Sequence, residues 1–268
     1  MNLLDSAQNS SKLAPRPVRT QQIDKLTVQV YRSPEEVALA ASAMATQTLR
    51  AAISTRGEAA AIFATGRSQV QFLDHLTQPD NAIDWSKVTG FHLDEYLGIA
   101  SSHPASFQRY LEIYLTSKVN LKAWHSLEGN SLLPLDVCQN YEEKLRQHAI
   151  DLCCLGIGDN GHLAFNDPAV ANFNDPHWVK IVRLDDQNRK QQAASSAFKT
   201  LSAVPQYAFT LTISAIRASH HNLCIAFGEN KAAVIQRVLT GTIGPDCPAS
   251  VLRQIPQTRL LIDRAAAG

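Results

Sequence analysis

No stretch of this sequence is long and apolar enough to cross a bilayer. A long uncharged apolar segment, Val37 to Leu49, is broken by Ser42, Thr46, Gln47 and Thr48, well short of the roughly 20 apolar residues of a spanning helix. The start, MNLLDSAQNSSKLAPRP, has neither a basic n-region nor an apolar h-region, so a signal peptide is not expected. The five cysteines (Cys138, Cys153, Cys154, Cys224, Cys247) contain no C-x-x-C pair. Three of them lie in apolar runs, where cysteine behaves as a small hydrophobe, and the expected compartment is a reducing cytoplasm. A charge excess is missing too. Lys and Arg number 25 against 24 Asp and Glu, a formal +1. That argues against nucleic acid as a partner, while leaving room for a local anion pocket.

What remains is globular. Hydrophobic residues make up 45% and charged residues 18% of 268, the balance of a folded chain. A chain of this length buries about three quarters of its unfolded surface and needs no metal or disulfide staple. Residues 1–25 are polar and proline-punctuated and read as an arm, disordered or extended, ahead of one domain over 26–268.

Within that domain, strand-like and helix-like segments alternate. Leu26–Tyr31 has strand composition, and Ser33-Pro34-Glu35-Glu36 supplies an N-cap, a first-turn proline and a capping-box glutamate. Val37, Ala41, Met44, Thr48 and Ala52 then mark one helical face, with Gly57 as the stop. Further strands are expected at 59–65, 88–93, 151–158, 179–184, 207–213, 223–228 and 259–263. Helical patterns fall near 68–77, 104–118, 136–149, 186–198 and 230–240. Near-continuous apolar strands between amphipathic helices indicate a single doubly wound α/β domain, its mostly parallel sheet covered on both faces.

Ligands of such sheets bind beyond the carboxyl ends of the strands. After the 59–65 run come Gly66, Arg67 and Ser68 at the start of a helix. With Thr65, they offer hydroxyls, a guanidinium and free N–H groups to an anion, although a plain strand–helix turn has the same composition. After 88–93 come Asp94 and Glu95, either a solvated pair or a general base in a dry pocket. The third end, Gly156-Ile157-Gly158-Asp159-Asn160-Gly161-His162, continues into Asn166-Asp167-Pro168. His162 is the group there that exchanges protons near neutral pH, and Asp159 or Asp167 could orient it. His162 with Asp159, Asp167 or His92 has no recognised metal-ligand spacing.

Two long motifs in this chain closely resemble those of the glucosamine-6-phosphate deaminase/isomerase family. They are Leu93-Asp94-Glu95-Tyr96-Leu97-Gly98 with His103-Pro104-x-Ser106-Phe107, and Gly156-x-Gly158-x-Asn160-Gly161-His162-x-Ala164-Phe165-Asn166-Asp167-Pro168. The similarity runs from about residue 26 to the end and implies a modified Rossmann-like fold. It also implies a reaction in which an amino-sugar 6-phosphate is ring-opened, isomerised and deaminated to fructose 6-phosphate and ammonia, without a cofactor or metal. By the same resemblance, Asp94 matches the base that moves the C2 proton to C1, and His162 the ring-opening histidine with Asn160 and Asp167 as partners. Thr65, Gly66, Arg67 and Ser68 hold the phosphate position, and Arg189 and Lys231 match basic residues that hold substrate. The family often has Glu where this chain has Asp167, and a small residue where it has Arg67. The implied partner is a small sugar phosphate, and homo-oligomers occur in the family.

Two rivals share the fold. A 6-phosphogluconolactonase typically has Arg after the Asp-Glu pair and Ser-Leu-Phe-Pro after the histidine. This chain has Tyr96 and Phe165-Asn166-Asp167-Pro168. A sugar-phosphate-sensing regulator would need a winged helix-turn-helix, and about 25 residues before the first strand are too few for one.

Overall fold

The computed structural model describes residues 14–195, 198 and 200–268. In chain order the elements are β1 (Arg19–Ile23), β2 (Leu26–Tyr31), α1 (Pro34–Arg56), β3 (Ala59–Phe63), α2 (Arg67–Leu76), β4 (Val88–His92) and β5 (Asp94–Tyr96). There follow α3 (Phe107–Leu111), β6 (Ala123–His125), α4 (Pro134–Arg146), β7 (Leu152–Gly156), β8 (Val179–Arg183) and α5 (Asp186–Ser195). The chain closes with β9 (Tyr207–Leu211), α6 (Ile213–Ala218), β10 (His221–Ala226), α7 (Ala232–Thr240), β11 (Thr258–Asp263) and α8 (Arg264–Ala267).

Eight strands form the main sheet in the order β1-β2-β11-β10-β7-β3-β4-β6, parallel except for the β1–β2 pair. From β3 the chain steps outward to β4 and β6; from β7 it steps the other way, to β10 and β11. The direction therefore reverses between β3 and β7, which opens a crevice at their carboxyl ends. One face of the sheet packs on α4, α6 and α7 through residues such as Leu145, Ile216 and Val238. The other packs on α1, α2 and α3 through Leu49, Phe72 and Leu111. Ser33 caps α1 by accepting the Glu36 N–H at 3.2 Å. The Glu36 carboxylate returns to the N–H of Arg32 at 3.0 Å, one residue earlier than a capping box places it.

The fold class matches the sequence reading, but two of the expected strands lie elsewhere. β8 and β9 do not extend the parallel sheet; with β5 they form a separate antiparallel sheet, β5-β9-β8. Their sequences show why. Val179-Lys180-Ile181-Val182-Arg183 interleaves cations with apolar residues and is only partly buried, as suits a sheet with one solvated face. β7, by contrast, is apolar throughout. Leu93 joins the two sheets: its N–H donates to Phe63 at 3.2 Å in the main sheet, and its carbonyl accepts from Leu211 at 3.1 Å in the smaller one. Residues 1–13 of the expected arm lie outside the described residues. Of its remainder, Arg19–Ile23 is an exposed edge strand in register with β2.

The helix expected over 104–118 shortens to α3 and a π-type turn at Glu112–Thr116. All five cysteines are buried thiols. Among the described residues, no helix is long and apolar enough to cross a membrane, and no three His, Cys, Asp or Glu side chains group to hold a metal ion.

Candidate active site

The crevice at the sheet reversal is a cleft of about 600 Å³. Of the ten residues that the resemblance assigned to the site, seven line it: Thr65, Gly66, Arg67, Ser68, Asp94, His162 and Lys231. They come from three strand ends and from β5, segments up to 166 positions apart in the chain, as the Thr65–Lys231 separation shows.

Asp94 and Glu95 divide sharply. Glu95 is fully buried and accepts four hydrogen bonds: from the N–H of Tyr96 (2.9 Å), Phe107 (3.1 Å) and Gln108 (2.9 Å), and from the Ser106 hydroxyl (2.7 Å). Its carboxylate is committed to fastening the start of α3, whose preceding residues wall the cleft. Asp94 is 6% exposed, and among the described residues nothing donates to its carboxylate. Burial, and after it the neighbouring Glu95, pushes the Asp94 carboxyl well above the usual range. An unpartnered, desolvated carboxylate of raised basicity is the arrangement a proton-abstracting base requires.

His162 is held from behind. Its Nδ1 lies 2.8 Å from Oδ1 of Asn160 and 3.0 Å from Oδ1 of Asp167. Two acceptors at Nδ1 place the proton there and leave Nε2 as the basic nitrogen. Asn160 is itself oriented, because its amide nitrogen donates to Asp167 (3.0 Å) and Asp185 (3.2 Å). The strongest single influence on Asp167 is burial, which raises its carboxyl. Hydrogen bonds and charge from His162, with the amides of Asn160 and Asn188, outweigh burial and hold it below the usual range. Gly158 supplies the room: a Cβ there would overlap the His162 ring. Between Asp159 and Asp167, the residue that orients His162 is Asp167. The Asp159 carboxylate instead meets Lys231 at 2.6 Å.

At the end of β3, Gly66 has φ +102° and ψ 171°, open to glycine alone, and leads into α2 with no side chain capping the first turn. The Tyr110 hydroxyl donates to the Gly66 carbonyl at 2.8 Å, fixing the loop at the start of α2. Lys231 donates to the carbonyl of Ile157 at 2.7 Å and to Asp159. Arg67 is exposed on the cleft wall without an ion-pair or hydrogen-bond partner among the described residues.

Comparison with known proteins accords with this geometry. A family model described as glucosamine-6-phosphate isomerases/6-phosphogluconolactonase matches residues 32–261. The chain belongs to this family. A glucosamine-6-phosphate deaminase of Listeria welshimeri is 35% identical over 230 residues, 85% of this chain and 95% of the relative. One from Listeria monocytogenes is 36% identical over 204 residues, 76% of this chain and 84% of the relative. The solved structure of a monomeric glucosamine-6-phosphate deaminase superposes with a TM-score of 0.81 at 28% identity, covering 90% of this chain and 98% of its own. A 6-phosphogluconolactonase from Shewanella baltica shares the fold with a TM-score of 0.73 at 18% identity, covering 91% of this chain and 99% of its own.

One residue that the family resemblance placed on the substrate is not in the cleft. Arg189 is absent from the lining; its guanidinium donates to the carbonyls of Leu201 (2.9 Å) and Val204 (3.1 Å), and lies 3.6 Å from Asp186. Both bonds to the turn at Leu201–Ala203 and Val204 come from Nη2, which clamps that turn, while Nε has no hydrogen-bond partner among the described residues. Conversely, Asn188, Asp185, Tyr110 and Gln192 belong to the site or its support and were not singled out. For the first two, a signal is present: Asp185 accepts the Asn188 N–H at 2.6 Å as an N-terminal cap of α5. Tyr110 and Gln192 reach the cleft only through the tertiary fold.

Proposed function

We propose that the protein converts glucosamine 6-phosphate, or a close amino-sugar 6-phosphate, to fructose 6-phosphate and ammonia. The observation that carries this reading is the pairing of an unpartnered, buried Asp94 with a His162 of fixed tautomer in one cleft. The pyranose must open before C2 becomes acidic, because only the open chain has a carbonyl beside it. His162, with Nδ1–H anchored on Asn160 and Asp167, moves the proton between the ring oxygen and the anomeric hydroxyl. Asp94 then takes the C2 proton and returns it to C1, while a proton leaves the ammonium nitrogen and one reaches O1, so that C1 becomes a hydroxymethyl and C2 an iminium. Water hydrolyses that iminium and releases ammonia. The phosphate lies at the Thr65–Ser68 loop and the start of α2, assisted by Arg67 and Lys231, and its binding orients the reacting carbons.

The test is ammonia release from a panel of 2-amino-2-deoxy-sugar 6-phosphates, with 6-phosphogluconolactone beside them. Ammonia and fructose 6-phosphate from one or more of the panel are expected. Lactone hydrolysis with no ammonia from any amino sugar would replace this reading with the lactonase one.

A further inference from the structure

Asn188, on the first turn of α5, is 1% exposed, and its amide nitrogen lies 2.9 Å from Oδ1 and 3.0 Å from Oδ2 of Asp167. We propose that Asn188 is a positioning residue for the acid–base pair, fixing the Asp167 carboxylate against Nδ1 of His162 and so holding the histidine in its working tautomer. The inference rests on the reading of His162 as the ring-opening group.

Contacts on the two carboxylate oxygens are unequal. Oδ1 of Asp167 meets His162 and Asn160, each at 3.0 Å, as well as Asn188. Among the described residues the hydrogen bond to Oδ2 comes from Asn188. A carboxylate turns about its Cβ–Cγ bond, and a quarter turn would carry Oδ1 out of line with the imidazole. A donor touching both oxygens opposes that turn, whereas a donor to Oδ1 alone does not. The Asp167 side chain is 1% exposed, so bulk water is a poor substitute for the amide.

Asn188 is itself fixed on both sides. Its backbone N–H is held by Asp185 at 2.6 Å, and its side-chain oxygen accepts from Gln192 one helical turn later at 3.4 Å. Gln192 lines the cleft. The first turn of α5 thus connects the cleft wall, through Gln192, Asn188 and Asp167, to the imidazole. The titratable groups gathered there are His162, Asp167 and Asp185; Asp186 and Arg189 on the same turn pair with each other at 3.6 Å.

The experiment compares Asn188→Ala, Asn188→Asp and His162→Gln in steady-state turnover of the amino-sugar phosphate from pH 5 to 9, with thermal melts to establish folding. Losing a hydrogen bond to a charged group should lower kcat about 10- to 100-fold in Asn188→Ala, with KM within about twofold because no substrate contact is lost. The Asp variant keeps the shape but turns the donor into an acceptor. Its activity relative to wild type should rise as pH falls, because the introduced carboxyl donates again once protonated. A packing role alone would give a ratio that does not change with pH. Wild-type kcat in Asn188→Ala, or a flat ratio for Asn188→Asp, overturns the inference while leaving His162 in place. Full turnover by His162→Gln overturns the underlying reading, and the inference with it. If Asn188→Ala does not fold, the pH dependence of the isosteric Asp variant decides alone.

Discussion

The carboxylates of Asp94 and Glu95 are one residue apart, yet Glu95 accepts four hydrogen bonds and Asp94 accepts none from the described residues. Alternation along β5 turns the two side chains to opposite sides. One side is tied to the α3 start by polar donors, and the other is the cleft. Adjacent, chemically similar groups therefore take separate tasks: one fastens a wall, the other stays reactive.

Asp94→Asn should abolish C2 proton exchange in deuterated solvent and at the same time stabilise the fold. The Asp94 carboxyl is raised in the folded state by burial and by Glu95, so the folded protein binds this proton more tightly than the unfolded chain. The associated stability is fully present below the unfolded value near pH 4 and is lost as pH rises. The melting temperature of the variant should thus exceed that of wild type at pH 8 and approach it toward pH 4. Burial raises the Glu95 carboxyl too, but Glu95→Gln puts an N–H donor where an oxygen accepts from that four-donor set, so it should lower the melting temperature. Wild-type exchange in Asp94→Asn would move the base elsewhere.

His162→Gln should fail on closed-ring substrate by about 10²–10⁴-fold yet use the open-chain fraction present in solution. A mutarotation catalyst should then restore part of the rate. Asp167→Asn should behave in the same direction and more mildly, since the imidazole keeps Asn160 at Nδ1. Absence of rescue would assign His162 to a later step.

Two cations of the cleft should separate in their effects. Arg67 has no protein partner among the described residues, so Arg67→Ala should raise KM without changing the melting temperature. Lys231 also holds the Ile157 carbonyl and Asp159, so Lys231→Ala should raise KM about tenfold or more, by the cost of a charge-assisted contact, and lower stability as well. Inhibition by inorganic phosphate should weaken in parallel in both variants.

His92 makes stability sensitive to acid. It is fully buried, neither ring nitrogen is hydrogen-bonded among the described residues, and burial pushes it down to about 3 from 6.5. The unfolded chain binds this proton first as pH falls. The contribution is therefore complete above about pH 6.5 and drains away progressively toward pH 3, at about 1.4 kcal/mol per pH unit. His92→Leu should flatten the pH dependence of denaturant midpoints between pH 6.5 and 4. An unchanged slope would place the acid sensitivity in other groups.

Long apolar strands and the capped first helix were legible because each carries its own local signal, as the α1 cap shows. β5 was not, because Asp-Glu-Tyr has no strand composition; it pairs with Phe209 and its neighbours, 114 positions onward from Glu95. β8 was found as a strand and misplaced in a sheet, since a partner's direction is absent from a five-residue pattern. The motif residues met in space because they sit at strand ends, where the topology must gather them. Arg189 shows the limit: sequence supplied its charge but not the turn carbonyls that its Nη2 meets.

Leu93 is bonded into both sheets, and Asp94 follows it directly. The place of Asp94 on the cleft wall is thus framed by the junction of two sheets rather than by the conformation of a loop. Loops elsewhere on the surface are free to lengthen or shorten without disturbing that position. A single-residue slip at the junction is another matter: side chains alternate along the strand, so it would bring Glu95 to the cleft and turn Asp94 toward the α3 start. The chemistry of this protein is therefore sensitive to register at one peptide, although nothing about Leu93 is itself reactive.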